Sequence, residues 1–160
     1  MLNKICSEKG ITKLATGHHL DDICKVLLKL YFQGDLISLA RIKPVLPAEK
    51  GFVARVKPLC EITEKENLYY ININKIKHIS ESCPLPYFGK SYRRQEELYK
   101  AIIKIQPNFR HIFFSSHVNK FLPLLEERRK EVKLRKCIEC GQLTTAELCT
   151  FCKIRKMVMS

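Results

Sequence analysis

Cys137-Ile-Glu-Cys140 and Cys149-Thr-Phe-Cys152 are the feature that most constrains this chain: two Cys-x-x-Cys pairs separated by eight residues. A Cys-x-x-Cys turn brings two sulfurs to one point, and two such turns supply the four thiolates that tetrahedral zinc takes. Gly141, directly after the first pair, suits the tight backbone turn such sites need. The short intervening segment predicts a compact knuckle over residues 135–156, with zinc held by Cys137, Cys140, Cys149 and Cys152. Four protein ligands leave no open position, which makes the expected role structural. A redox pair or unligated thiols are the other reading of the same spacing. An iron–sulfur cluster also uses four cysteines, but nothing in this segment favours it. Eight cysteines would suggest a disulfide framework in an exported protein. Residues 1–6, Met-Leu-Asn-Lys-Ile-Cys, lack the apolar run of a secretory signal. Reduced, metal-ligating cysteines in the cytoplasm are the better expectation. No stretch approaches the ~20 apolar residues that cross a bilayer.

The 29 Lys and Arg outnumber the 16 Asp and Glu, a formal charge of +13. Such an excess attracts polyanions through phosphate contacts and counterion release, so RNA is the expected partner. Lysines scattered over every surface would give the same total. Clustering favours the first reading: Arg128, Arg129, Lys130, Lys133, Arg135 and Lys136 crowd the approach to the cysteines.

Residues 2–9 read as a helix stopped at Gly10, and Lys13–Thr16 as a short strand running into Gly17. From His19 onward Ile23, Val26, Leu27, Leu30 and Tyr31 fall at helical spacing, until Gln33-Gly34-Asp35 ends the run. Pro44, Pro47 and Gly51 mark a loop, and Phe52–Val56 a second strand. Thr63-Glu-Lys-Glu66 has the capping-box pattern of a helix start. Ile76–Ser80 reads as a further strand, the segment around Pro84 and Pro86 as a loop, and 91–105 and 108–130 as helices separated at Pro107. Strands alternating with helices predict an α/β layer with parallel strands, followed by a helical region.

Between the first strand and the long helix lies Gly17-His18-His19-Leu20-Asp21-Asp22. Ligands of open α/β sheets sit beyond the carboxyl ends of strands, where this turn lies. Gly17 would admit a close approach, His18 a hydrogen bond, and Asp21 and Asp22 a magnesium ion or nucleotide. Acidic residues in a first helical turn also simply oppose the helix dipole. The spacing leaves both readings open.

Ala15-Thr-Gly-His-His-Leu-Asp-Asp22 resembles the Ala-Thr-Gly-His-Asn-Leu-Asp-Asp motif of the tRNA thiouridine synthetases, which include the cytoplasmic tRNA 2-thiolation proteins. They belong to the N-type ATP pyrophosphatase, or PP-loop, superfamily. Arg55-Val-Lys-Pro-Leu59 with Glu61 and Glu64-Lys-Glu66, then Glu81-Ser-Cys-Pro84, then the C-terminal cysteines resemble that family's later blocks in order. The resemblance implies a partial Rossmann-like PP-loop ATPase domain (1–88), a helical region (89–134) and a zinc knuckle (135–156). It implies that Asp21 or Asp22 acts beside ATP and a target uridine, with Gly17 and His18 near the nucleotide. Cys83 would match one ligand of the family's iron–sulfur cluster, and the four C-terminal cysteines would hold zinc and help bind tRNA. Family members activate the uridine C2 oxygen with ATP and add sulfur from a ubiquitin-like carrier or another donor.

The sequence departs from the pattern in informative places. The family's Ser-Gly-Gly-x-Asp-Ser phosphate loop and its earlier Cys-x-x-Cys do not occur in these residues, and the six glycines form no Gly-rich cradle. His19 stands for the usual Asn, and Ile23-Cys24 for Glu-Ala. Cys6, Cys24 and Cys60 are expected as small buried hydrophobes. The chain therefore reads as the C-terminal part of a tRNA 2-thiolation enzyme, inactive alone and needing a complementary N-terminal half for ATP-magnesium and cluster binding. A non-enzymatic zinc-containing RNA-binding module, or a truncated remnant, is the competing class.

Overall fold

The computed structural model describes residues 2–49, 51–79, 90–127 and 134–159. The chain forms two compact units, each assembled from separated segments: Ala15–Leu46 with Arg55–Arg128, and Met1–Leu14 with Pro47–Ala54 and Arg129–Ser160.

The larger unit is organised around α2, Leu20–Gln33. Leu20, Ile23, Leu27 and Leu30 recur at helical spacing and are all buried. They form the core with Cys24, Leu39, Cys60, Tyr99 and Phe114. Gly34 closes α2 in the left-handed conformation (φ 63°), returning its N–H to Leu30 and Tyr31 carbonyls. A short helix follows, α3, Leu36–Leu39, capped by the Asp35 carboxylate on Ser38 N–H. α4 spans Glu64–Ile73, α5 Lys90–Ile105 and α6 Phe109–Ser116. A π-turn over His117–Phe121 joins α6 to α7, Leu122–Glu127. The helix expected over 108–130 is thus one rod with a π-turn inside it across its described length. His117 turns inward there and is fully buried. Its Nε2 lies 3.0 Å from the Ile42 carbonyl, which only accepts, so Nε2 carries the proton. Nδ1 then accepts from the Tyr31 hydroxyl at 2.9 Å. Burial holds the His117 pKa below its ordinary value, in keeping with a neutral ring.

The sheet has three strands in the order β1-β3-β2: β1 Lys13–Ala15, β2 Val45–Leu46 and β3 Ala54–Val56. β2 runs antiparallel to β3, pairing Val45 with Val56 and Leu46 with Arg55. Ala54 N–H donates to the Thr12 carbonyl and Thr16 N–H to the Val56 carbonyl. These bonds advance along both strands together, the mark of parallel pairing. The sheet is therefore mixed, not purely parallel. β2 lies where the sequence reads as loop: it is two residues held between Pro44 and Pro47, too short to show a period. Ile76–Ile79 form no strand; Lys75 leaves α4 with φ 52°, and those four residues are exposed with no described strand to pair with.

The smaller unit contains α1, Leu2–Glu8, the hairpin of β4, Arg135–Lys136, with β5, Leu143–Thr144, and α8, Thr150–Met159. The Asn3 amide holds the 51–53 turn, donating to Gly51 O and accepting from Val53 N–H, both at 2.9 Å. Gly51 sits at φ 85°, and a Cβ there would lie 2.9 Å from Leu143 Cδ1.

Candidate functional site

In the smaller unit the β4–β5 hairpin pairs Arg135 with Thr144 and Lys136 with Leu143, leading directly into Cys137. Cys137 N–H donates to Gln142 O at 2.7 Å and Gly141 N–H to Cys137 O at 2.9 Å, with Gly141 at φ 70°. This is the tight turn expected after the first pair. α8 begins just beyond Cys149, so its first turn carries Cys152 beneath the hairpin. The four sulfurs lie within 4.8 Å of one another, with Cys140 and Cys149 3.6 Å apart. A tetrahedral ion with metal–sulfur bonds of ~2.3 Å requires sulfurs roughly 3.8 Å apart, and this cluster fits it. Four irons in a cubane would hold the thiolates farther apart than a single ion does. Backbone N–H groups of Cys149 and Cys140 lower the Cys137 thiol pKa to about 6, favouring thiolate. Burial and the neighbouring cysteines push Cys152 up; a bound cation reverses that preference. Glu139 draws Arg155 (3.4 Å) and Lys156 (2.6 Å) onto the turn. Arg135 and Lys136 are exposed beside it, whereas Arg128, Arg129, Lys130 and Lys133 lie outside the described residues.

In the larger unit the turn after β1 meets the loop after β3. Leu20 N–H donates to Ile62 O at 2.9 Å, joining the carboxyl ends of the two parallel strands. His19 caps α2: its ring accepts from Asp22 N–H, and the Asp22 carboxylate accepts from His19 N–H. This is a capping box with histidine in the position Ser or Thr usually takes. The Asp22 side chain is 42% exposed at the mouth of the turn. His18 is exposed and lies 3.0 Å from the Thr16 hydroxyl. A Cβ at Gly17 would touch nothing within 4 Å, so the space there opens outward and not against the protein's own atoms.

Asp21 has the opposite surroundings. It is 5% exposed, and its carboxylate accepts from Glu64 N–H (2.8 Å), the Tyr99 hydroxyl (2.9 Å) and Arg110 Nη1 (3.0 Å). Burial by itself raises its pKa, but these three donors outweigh burial and hold it below the usual carboxylate value. Burial and the bond to Asp21 push the Tyr99 phenol up. Cys24, one turn along α2, donates to Arg110 O and is pushed to about 12, by burial first and the Asp21 charge second. Asp21 thus ties the starts of α2 and α4 to α5 and α6. Tyr99 and Arg110 were not singled out from the sequence. They lie 78 and 89 residues from Asp21, and no local pattern marks them. Lys57, just past β3, is half-buried and donates to Lys43 O at 2.7 Å; burial lowers its pKa. A cleft of about 300 Å³ opens between Glu61 of that loop and His111, Phe114, Ser115, Val118 and Asn119. Cys83 lies outside the described residues.

A mixed α/β sheet with a turn of exposed polar groups at its carboxyl edge, and a four-cysteine cluster of metal-binding geometry, define the class of protein. No family model matches the chain. It is 34% identical over 154 residues to the tRNA-5-methyluridine(54) 2-sulfurtransferase of Thermus thermophilus, covering 96% of this chain and 47% of that protein. Cytoplasmic tRNA 2-thiolation protein 1 of Xenopus laevis is 31% identical over 144 residues, covering 89% and 41%. Among solved structures, the U34-tRNA thiolase NcsA from Methanococcus maripaludis, determined with its 4Fe-4S cluster, superposes with a TM-score of 0.71. That match is 30% identical and covers 98% of this chain and 49% of that one. The chain belongs to the tRNA 2-thiolation protein family, and it spans about half the length of the relatives it matches. Among the described residues no helix is long and apolar enough to cross a membrane.

Proposed function

We propose that this chain is the C-terminal portion of a cytoplasmic tRNA 2-thiolation enzyme and carries the uridine-facing edge of its PP-loop domain together with a zinc knuckle. The observation that carries the reading is the match, over nearly the whole chain, to relatives named for tRNA 2-thiolation. The Gly17–Asp22 turn at the carboxyl edge of the sheet agrees with it. Asp22 and His18, both accessible, face the uridine and the nucleotide, with Gly17 leaving room for their approach. Asp21 is the positioning residue that fixes the turn. ATP with magnesium, when bound, supplies activation of the uridine C2 oxygen. Its phosphates are held by residues outside these 160, on the same polypeptide or another. Sulfur comes from a ubiquitin-like carrier or another donor, and Cys83 contributes to an iron–sulfur site completed by those outside residues. The C-terminal cysteines hold one zinc, and Arg135 and Lys136 meet tRNA phosphates together with Arg128, Arg129, Lys130 and Lys133.

The test combines the chain with the half of the Methanococcus maripaludis thiolase that it does not match, ATP, a sulfide donor and tRNA. Nucleoside mass spectrometry of the digested tRNA should detect 2-thiouridine, lost on Asp22→Asn. Thiolation that survives Asp22→Asn removes the catalytic assignment. Binding of tRNA without thiolation in any combination supports the non-enzymatic RNA-binding module instead. For the metal, analysis should find one zinc per chain; iron at those four cysteines would overturn that assignment.

A further inference from the structure

The smaller unit holds a cleft of about 260 Å³ beside the cysteine cluster, and metal binding makes no use of it. Lys4, Ser7 and Glu8 of α1 line one side, Gln142 and Leu143 at the start of β5 the other, with Phe52 between them. The cleft is already formed in the free chain. The Asn3 amide grips the 51–53 turn through two bonds of 2.9 Å. Leu143 Cδ1 lies 2.9 Å from where a Cβ on Gly51 would stand, so the turn and the hairpin close against each other. The lining has an apolar centre and polar edges. Phe52 and Leu143 are half-buried and supply the centre. At the edges, the Gln142 side-chain amide and the Ser7 hydroxyl make no hydrogen bond among the described residues. A Cβ on Gly141 would meet nothing within 4 Å, so the backbone there is open to a flat ligand.

We propose that this cleft takes one unstacked nucleobase of a bound RNA, an inference that rests on the tRNA-binding part of the function proposed above. Charge brings RNA to this unit. Its segments contain 12 Lys and Arg against 5 Asp and Glu, so a third of the chain carries more than half of the +13. A polyanion is drawn to such a surface. The cleft itself is not a phosphate site. Apart from Cys140, its ionisable lining is Lys4 and Glu8, which face each other at 3.7 Å and cancel. What fits there is neutral, flat, apolar on its faces and edged with donors and acceptors, which describes a base. Unpaired bases stack on aromatic side chains such as Phe52 and are read along their edges. A free side-chain amide such as that of Gln142 can pair with a base edge through two hydrogen bonds. The flanking phosphates then fall to Arg135 and Lys136, exposed on the strand that leads into the same turn.

The experiment measures RNA binding by the zinc-loaded chain and requires no thiolation. Fluorescence anisotropy compares an unstructured RNA of mixed sequence with the same strand annealed to its complement. The duplex carries twice the phosphates, so a surface that senses only charge binds it at least as tightly. A cleft that accepts a base favours the single strand, whose bases are free to leave the stack. Phe52→Leu, which keeps an apolar side chain and removes the ring, should weaken the single strand at least about fivefold, and so should Gln142→Ala. Both should leave duplex binding and the salt dependence of either RNA unchanged, because neither residue meets a phosphate. Phe32→Leu, which removes a ring 71% exposed in the larger unit, should change nothing. Zinc content and circular dichroism establish that the variants fold. Should Phe52→Leu disturb the turn, Gln142→Ala decides alone, since its side chain makes no hydrogen bond among the described residues. Binding of the duplex as tight as that of the strand overturns the proposal and leaves the tRNA reading standing. So does single-strand binding that the cleft variants do not weaken. No binding of either RNA at low salt overturns both.

Discussion

Asp21→Asn removes the charge that Arg110 and Tyr99 are arranged around, while leaving a side chain of the same size. Arg110 would then keep a buried cation without its partner, and its Nε already lacks a hydrogen-bond partner among the described residues. Breaking one side of such a pair costs about 3 kcal/mol, which chemical denaturation of the chain would measure. The pH dependence has a definite sign. The folded Asp21 carboxyl titrates below the ~3.9 of an unfolded aspartate, so the brace contributes fully above that value and fades as pH falls through the folded one. The stability difference between wild type and Asp21→Asn should therefore be constant near neutrality and shrink below about pH 4. A difference that persists into strong acid would show that shape, not charge, holds this junction. Asp22→Asn, at a half-exposed position where the amide oxygen can still accept from His19 N–H, should cost no more than about 1 kcal/mol by the same measurement. That contrast separates the positioning residue from the accessible one before any activity is assayed.

The capping box at Thr63–Glu66 was legible in the sequence because its chemistry is local: four residues contain both donors and both acceptors. Burial of Cys6, Cys24 and Cys60, and the convergence of the four C-terminal cysteines, were legible for a related reason. Small apolar groups go inside, and ligand spacing is itself geometry. The cap formed by His19 was not, since histidine rarely plays that part; nor was β2, whose two residues acquire meaning only by pairing with β3. The strand expected at Ile76–Ser80 shows the converse, an apolar run that finds no described partner. Two tests belong to these elements. Thr63→Ala should lose about 1 kcal/mol of stability, as removal of a helix cap does, and should lift the Glu66 carboxyl toward its ordinary pKa, because the Thr63 hydroxyl and backbone hold it down. Cys149→Ser removes the sulfur that both Cys140 and the Cys152 N–H approach. Limited proteolysis should then cut the 135–156 segment readily, and chelation of the wild-type protein should reproduce that pattern. Cleavage unchanged by either treatment would mean the hairpin and α8 hold without metal.

The chain as a whole carries +13, and that charge divides between two tasks. Part of it is internal: Arg110 is used by Asp21, Lys25 by Glu96 at 3.0 Å, and Arg155 and Lys156 by Glu139. Other cations face solvent, among them Arg135 and Lys136, exposed on β4 at the entrance to the cysteine cluster. If about five phosphates are contacted, the logarithm of tRNA affinity should fall with the logarithm of salt at a slope of roughly −4, or roughly two orders of magnitude between 50 and 200 mM salt. Arg135→Ala with Lys136→Ala should flatten that slope by about one to two, and weaken all tRNAs alike, because phosphate contacts position a nucleic acid without reading its bases. Filter binding over a salt series with both proteins measures this. An affinity independent of salt, or one that the β4 substitutions leave untouched, would take the RNA surface away from β4.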